Sequence, residues 1–473
     1  MNVKDVEVLS DEIFDVVIIG AGIVGCAIAR RFTLEGAKVA IIEKGTDILD
    51  GASKANSAIL HTAFDAPPSS LEHSCIREGY FEYLKIRHDL GLPLDKIGAY
   101  VVAWSDEEVA KLDSILEKAH KNDVTDTKII TAKELRQHEP HLSGHAQAAI
   151  TIPGECIIDP WSAAYAYLGQ ALENGAEVFR SCEVKGGCQN QAENQDVWEL
   201  VTSRGTIRAR HVINSAGLYG DLVDKAVLGE SDFKLTPRKG QFVVYDKSAS
   251  ELVKAVILPV PTSRTKGVVL FRTVFGNLVV GPTAEDQESR SDASTDKESL
   301  EMLMAAAVDK IPALENYPVT AIYAGLRPAT EFSDYQIKAH ENKNWITVGG
   351  IRSTGLSSAL GIANYVYKLY ANQGEKHTPI ENPRVAEVAV LAESSQRDWQ
   401  KENHGEIVCH CELVTKREIE RALTGPLAAK SLQGLKRQSR VTMGRCQGFF
   451  CSARLSEIVQ DEFEVPLSEE IES

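Results

Sequence analysis

Four cysteines set in two close pairs stand near the end of the chain: Cys409 and Cys411 in IVCHCELV, and Cys446 and Cys451 in GRCQGFFCSARL. Clustered cysteines in a long chain without an export signal read as thiols or metal ligands before disulfides. Four thiolates suit a zinc ion or an iron–sulfur cluster. The CxC spacing is tight for structural zinc, whose paired cysteines usually enclose about two to four residues. Cys₄ ligation of a [2Fe–2S] cluster tolerates many loop shapes. Each pair also lies just before a helix start. TKRE at 415–418 is a capping box opening REIERAL, and SARLSEIVQ follows Cys451. Two helix N-termini aimed at one group of sulfurs lower the cost of gathering that negative charge. Gly444 and Gly448 let the loop wrap closely and leave backbone N–H groups for the sulfurs. Cys26, Cys75, Cys156, Cys182 and Cys188 are scattered through apolar or strand-like surroundings and read as structural thiols.

The other chemical signal is at the start. FDVVIIGAGIVGCAIARRFTLEGAKVAIIEKG reads as strand, turn, helix and strand, with Gly20, Gly22 and Gly25 in a GxGxxG turn. Glycines there let the backbone approach a pyrophosphate at a helix N-terminus. Glu43, at the end of the second strand, is placed to accept hydrogen bonds from a ribose. A dinucleotide site follows. The carboxylate argues against NADP and leaves NAD and FAD open.

These elements need a scaffold, and the composition bounds it. The 473 residues are 43% hydrophobic and 25% charged, enough for two or three folding units. The net charge of −16 repels phosphate backbones and anionic lipid, so nucleic acid is excluded as the expected partner. No apolar stretch approaches the roughly twenty residues of a membrane span, and the acidic start lacks a signal peptide's basic residues, so a cytoplasmic location is expected.

The start, followed by GASKANSAILHTAFD, resembles the FAD-dependent oxidoreductases of the D-amino-acid oxidase superfamily. Within it the sequence is most similar to the branch holding glycerol-3-phosphate dehydrogenase and L-2-hydroxyglutarate dehydrogenase. RHVINSAGLYGD at 210–221 and WITVGGIRSTGLSSALGIANYV at 345–366 carry the resemblance further. It implies an α/β fold: a Rossmann-type FAD-binding domain, an α+β substrate domain with an antiparallel sheet, and a small helical C-terminal [2Fe–2S] domain. It implies FAD contacts from Gly20, Gly22, Gly25, Glu43, Lys44, Ser53, Asn56, Ser57, Val184, Ala216, Gly217, Gly350, Gly355 and Leu356.

His61 is the expected acceptor of the substrate proton, because its segment runs beside the flavin in the family and imidazole titrates near neutrality. HTAF departs from the family's HAG or HSG at that place. Arg327 in AGLRPAT resembles the arginine that binds the substrate's anionic group, with a planar fork suited to carboxylate or phosphate. Arg352 in GGIRSTG is expected to touch flavin or substrate.

CHCELVTKREIERAL with TMGRCQGFFC resembles the bacterioferritin-associated-ferredoxin-like (BFD-like) [2Fe–2S] domain, which makes Cys409, Cys411, Cys446 and Cys451 its ligands. By analogy the FAD domain comprises 1–95, 146–225 and 320–375, the substrate domain 96–145 and 226–319, a linker 376–403, and the cluster domain 404–473. The resemblance implies oxidation of a small anionic secondary alcohol, such as glycerol 3-phosphate or a 2-hydroxy acid, by hydride transfer to FAD. Electrons would leave through the cluster to a partner protein, a quinone or another acceptor. Oxidation of an amino acid or secondary amine, and a non-catalytic electron-transfer subunit, stand as alternatives. A hetero- or homo-oligomer is compatible with this layout.

Overall fold

The computed structural model describes residues 8–192, 195–261 and 267–467. Short β-branched runs make the central strands of the first sheet. Val8–Ile19 lies between Val39–Ile42 and Gly205–Asn214, parallel to both, and Glu177–Phe179 and Trp345–Gly349 extend the parallel set on either side. The apolar runs are buried on both faces, as parallel strands require. Helices Ile23–Leu34, Pro160–Glu173 and Gly355–Ala371 cover one face, with Phe32, Tyr167 and Tyr370 filling the layer. Phe14, Trp198 and Trp345 fill the other.

His211 sits inside the first layer, with its ring edge-on to Tyr370 at 4.8 Å. Burial pushes its pKa down to about 4. Between that value and an unfolded value of about 6.5, the folded chain binds fewer protons than the unfolded one, so stability rises with pH there. The contribution is whole above about 6.5 and is lost as pH falls toward about 4. His211→Asn is expected to flatten this acid-side loss in thermal unfolding followed from pH 7 to pH 5.

The second sheet has nine strands. Val319–Thr330 pairs along its length with Leu235–Tyr245, followed by Leu278–Gly281, Val269–Arg272, Val256–Pro259, Ala99–Ala103, Ala148–Ile152 and Lys128–Thr131. Glu285–Asp286 extends the pairing of Leu235–Tyr245. The expected antiparallel character holds except where Val256–Pro259 runs parallel to Ala99–Ala103. Two stretches placed by analogy in the FAD domain, 148–152 and 320–330, have backbone hydrogen bonds in this second sheet.

The connecting segment after Tyr370 has no regular structure to about residue 397, as its prolines and polar residues suggest, yet it is packed down. Ile380 N–H bonds the Leu34 carbonyl, and Leu391 and Ala392 are buried in the second core.

The C-terminal unit is a two-stranded ribbon, Ile407–Cys409 with Val414–Thr415, and three short helices, Lys416–Ala422, Leu432–Ser439 and Ser452–Ile458. Thr415 and Glu418 form the capping box expected from TKRE. The unit is docked on the first domain: Asp47 accepts from the Lys430 N–H and the Ser431 hydroxyl at 3.0 and 2.6 Å. A Cβ on Gly434 would fall 2.3 Å from that carboxyl group. Among the described residues no helix is long and apolar enough to cross a membrane.

Candidate active site and cysteine centre

A cavity of about 670 Å³ runs from the glycine turn to the second sheet. Gly20 has φ +100, and a Cβ there would meet the Ser215 carbonyl at 2.7 Å. A Cβ on Gly25 would fall 1.9 Å from the Gly20 carbonyl oxygen, so the turn folds flat against the helix only with glycine. Gly25→Ala is expected to cost about 1–3 kcal/mol by overpacking and to release FAD, read by thermal unfolding and flavin content. The helix Ile23–Leu34 begins at the cavity, its first N–H bonded to Ser53 Oγ at 3.1 Å. The N-terminus of Gly355–Ala371 has no side-chain cap and also faces the cavity, through Gly355 and Leu356. Two uncapped or partly capped helix ends favour an anionic dinucleotide and a reduced, negatively charged ring.

Glu43 accepts the Ala21 N–H at 2.7 Å and the Gly45 N–H at 2.8 Å. Burial raises its pKa, and these backbone donors oppose the rise. Lys44 lies over the Tyr219 ring at 3.2 Å. Lys44, Ser53, Asn56, Ser57, Val184, Ala216, Gly217 and Gly350 all line the cavity, as do Gly20, Gly22 and Glu43. Gly25 packs behind the turn instead. The glycines that leave no room for a Cβ, the helix ends and the cavity size fit FAD.

Arg327 forms one wall. Its guanidinium donates to the carbonyls of Thr283 at 2.7 Å, Lys239 at 3.2 Å and Arg238 at 3.3 Å. Burial, and then the neighbouring charge of Arg238, push its pKa down to about 10. Asp286, the nearby carboxylate, is engaged by Arg238. Arg327 is therefore a half-buried cation held by dipoles, a state that an anionic ligand relieves. Arg352 also lines the cavity, with φ +52, and donates to the Ser333 carbonyl at 2.6 Å.

His61 stands four residues beyond Ser57, the last cavity-lining residue of its segment. Its N–H donates to Ser357 Oγ at 2.9 Å, on the helix whose start lines the cavity. Its Nδ1 is 2.7 Å from Glu155 Oε2, and Glu155 is fully buried. Thr62 secures the other Glu155 oxygen through N–H and hydroxyl, at 2.7 and 2.8 Å. The sequence reading missed Glu155. Its one signal is a lone carboxylate between the apolar runs of AAITIPGECIID.

At the C-terminal end, sulfur contacts link Cys411 with Cys446 and Cys409 with Cys451. The backbone N–H groups of Phe450, Gly448 and Phe449 hold the Cys446 thiol below its ordinary range, the first contributing most. Burial, and then the Cys409 thiol beside it, raise Cys451 to about 11. A Cβ on Gly444 would lie 2.2 Å from Cys411 Cβ, and Gly448 has φ +93. No group of three or more His, Cys, Asp or Glu side chains among the described residues is arranged for a single metal ion. Two thiol pairs bordered by backbone N–H groups fit the Cys₄ donor set of a [2Fe–2S] cluster.

Comparisons with known proteins follow the same division. The family of FAD dependent oxidoreductases (DAO) matches residues 15–369, and the BFD-like [2Fe-2S] binding domain matches 407–461. A glycerol 3-phosphate dehydrogenase of Caloramator mitchellensis is 34% identical over 465 residues, covering 96% of each chain. An L-2-hydroxyglutarate dehydrogenase of Indibacter alkaliphilus is 33% identical over 277 residues, 57% of this chain and 68% of that protein. The FAD-bound L-alpha-glycerophosphate oxidase of Mycoplasma pneumoniae superposes with a TM-score of 0.72 at 27% identity, over 78% of this chain and 97% of that one. The chain belongs to the FAD dependent oxidoreductase family and carries a BFD-like [2Fe-2S] binding domain at its C-terminal end.

Proposed function

We propose that the protein is a dehydrogenase that oxidises the secondary hydroxyl of a small anionic substrate, with glycerol 3-phosphate the first choice, and passes the electrons out through the [2Fe–2S] domain. The observation that carries this reading is Arg327: a partly buried guanidinium at the cavity wall, bonded to carbonyl oxygens and suited to a phosphate or carboxylate. The relative that covers 96% of this chain, cysteine region included, bears the name glycerol 3-phosphate dehydrogenase, which supports the same substrate.

FAD, when bound, supplies the acceptor for a hydride from the substrate carbon. Arg327 holds the anionic end and so orients the C–H bond. Arg352 extends the positive wall. His61 receives the hydroxyl proton, and Glu155, itself fixed by Thr62, aims the imidazole as its positioning residue. Cys411 and Cys446 are the more exposed cysteines of the four, and the loop between Cys446 and Cys451 presents Phe449 and Phe450 at 82% and 78% exposure. That aromatic pair offers a redox partner an apolar contact beside the cluster.

Anaerobic mixing with glycerol 3-phosphate, L-2-hydroxyglutarate and proline tests the reading. Bleaching of the flavin band by glycerol 3-phosphate supports it. Bleaching by proline alone, or by none of the three, overturns it.

A further inference from the structure

The cavity and the cysteine centre belong to different folding units, and a continuous line of contacts joins them. It starts at Lys54, whose carbonyl belongs to the segment lining the FAD cavity and accepts the Trp161 indole N–H at 3.1 Å. Trp161 is held at the start of the helix Pro160–Glu173 by the fully buried cap Asp159, which accepts the Trp161 N–H at 2.9 Å. Its ring stacks on Phe275 with centroids 5.4 Å apart and planes 16° from parallel. Phe275 is buried in the turn between strands Val269–Arg272 and Leu278–Gly281. On its ring lies the Arg440 guanidinium, at 4.1 Å. Arg440 in turn donates to Glu412 at 2.9 Å, with both side chains buried, and Glu412 is bonded directly to Cys411 in the chain.

We propose that Trp161, Phe275 and Arg440 form the electronic bridge between the FAD site and the [2Fe–2S] site. The inference rests on the reading that electrons leave through the cluster, and it names the residues that let them do so. Each link is a hydrogen bond or a ring contact, so no layer of solvent interrupts the line, and each of the three side chains comes from a different folding unit. The two electrons gained with the substrate hydride leave the reduced flavin one at a time, with its protons released to solvent. Each reduces one ferric ion of the cluster to ferrous, and a one-electron acceptor outside the protein reoxidises the cluster between transfers. The buried partner of Arg440, Glu412, keeps the guanidinium fixed over the ring.

A clamp that merely holds the domains together would use the same contacts, so the test separates rate from stability. The full-length protein carrying FAD and iron is mixed anaerobically with glycerol 3-phosphate in a stopped-flow instrument. Flavin bleaching and cluster reduction are followed separately, the latter also by the electron paramagnetic resonance of freeze-quenched samples. In Phe275→Leu the flavin is expected to bleach as in the unaltered protein while the fast phase of cluster reduction is lost. Phe275→Tyr, which keeps the ring, restores that phase. Trp161→Leu supplies a second break in the line should Phe275→Leu fail to load both cofactors. Equilibrium potentials measured in the same variants show whether driving force has changed; the proposal requires the lost phase at unchanged potentials. Cluster reduction that keeps pace with the unaltered protein in Phe275→Leu and Trp161→Leu overturns the bridge. A cluster that stays oxidised in the unaltered protein, while its flavin bleaches, overturns the electron route itself.

Discussion

Arg327→Ala is expected to weaken binding of an anionic substrate by about 10- to 100-fold, while FAD remains bound. The size follows from the loss of charge-assisted hydrogen bonds, each worth about 1.5–3 kcal/mol, where 1.4 kcal/mol is a factor of ten. The guanidinium sits where no substitute is at hand: Arg238 is committed to Asp286, and Arg352 reaches the Ser333 carbonyl. Arg327→Lys keeps the charge but not the fork that spans the Thr283, Lys239 and Arg238 carbonyls, so an intermediate loss is expected. Titrating flavin reduction with glycerol 3-phosphate gives the affinity directly, and flavin content checks that the pocket survives. An affinity unchanged in Arg327→Ala removes the residue from the substrate pocket.

Cys409→Ser is expected to abolish the cluster and leave the flavin in place. Cys409 is buried to 1% exposure, in the core that Val414, Ile419 and Leu435 build, and contacts Cys451. A serine there is a poor ligand for iron and a buried hydroxyl without the sulfur's partner. Because metal binding and folding are coupled in small metal-bearing units, the C-terminal unit should also become sensitive to proteolysis. Iron and sulfide analysis, beside flavin absorbance, checks both halves of the expectation. Full iron content in Cys409→Ser would exclude this cysteine as a ligand. Single-turnover bleaching by substrate should persist, since the cavity lies in the other units.

Much of this was readable from residue types. The glycines of the first turn, the carboxylate closing the second strand and the two cysteine pairs are local signals, because backbone geometry and ligand chemistry constrain residues close together in sequence. The capping box at Thr415 is equally local. Other features were not readable. Arg327 was singled out by its motif, but the pairing of its strand with Leu235–Tyr245 was not readable, since it depends on a partner about ninety residues away. His61 was singled out by its segment, but its tie to Glu155, a glutamate 94 residues distant, was not readable.

The sequence by itself determined a dinucleotide site, a four-thiol centre and the parallel sheet that begins the chain. Its information there is short-ranged: a turn that only glycine can make, apolar runs that must be buried, and thiols spaced to meet. The tertiary structure alone decided what stands between those centres. The bonding of Arg327 to three carbonyls, the Glu155–His61 pair and the stack of Trp161, Phe275 and Arg440 each join segments from separate parts of the chain. Packing sets such contacts through the shape of the whole core, and no short stretch of residues carries that shape.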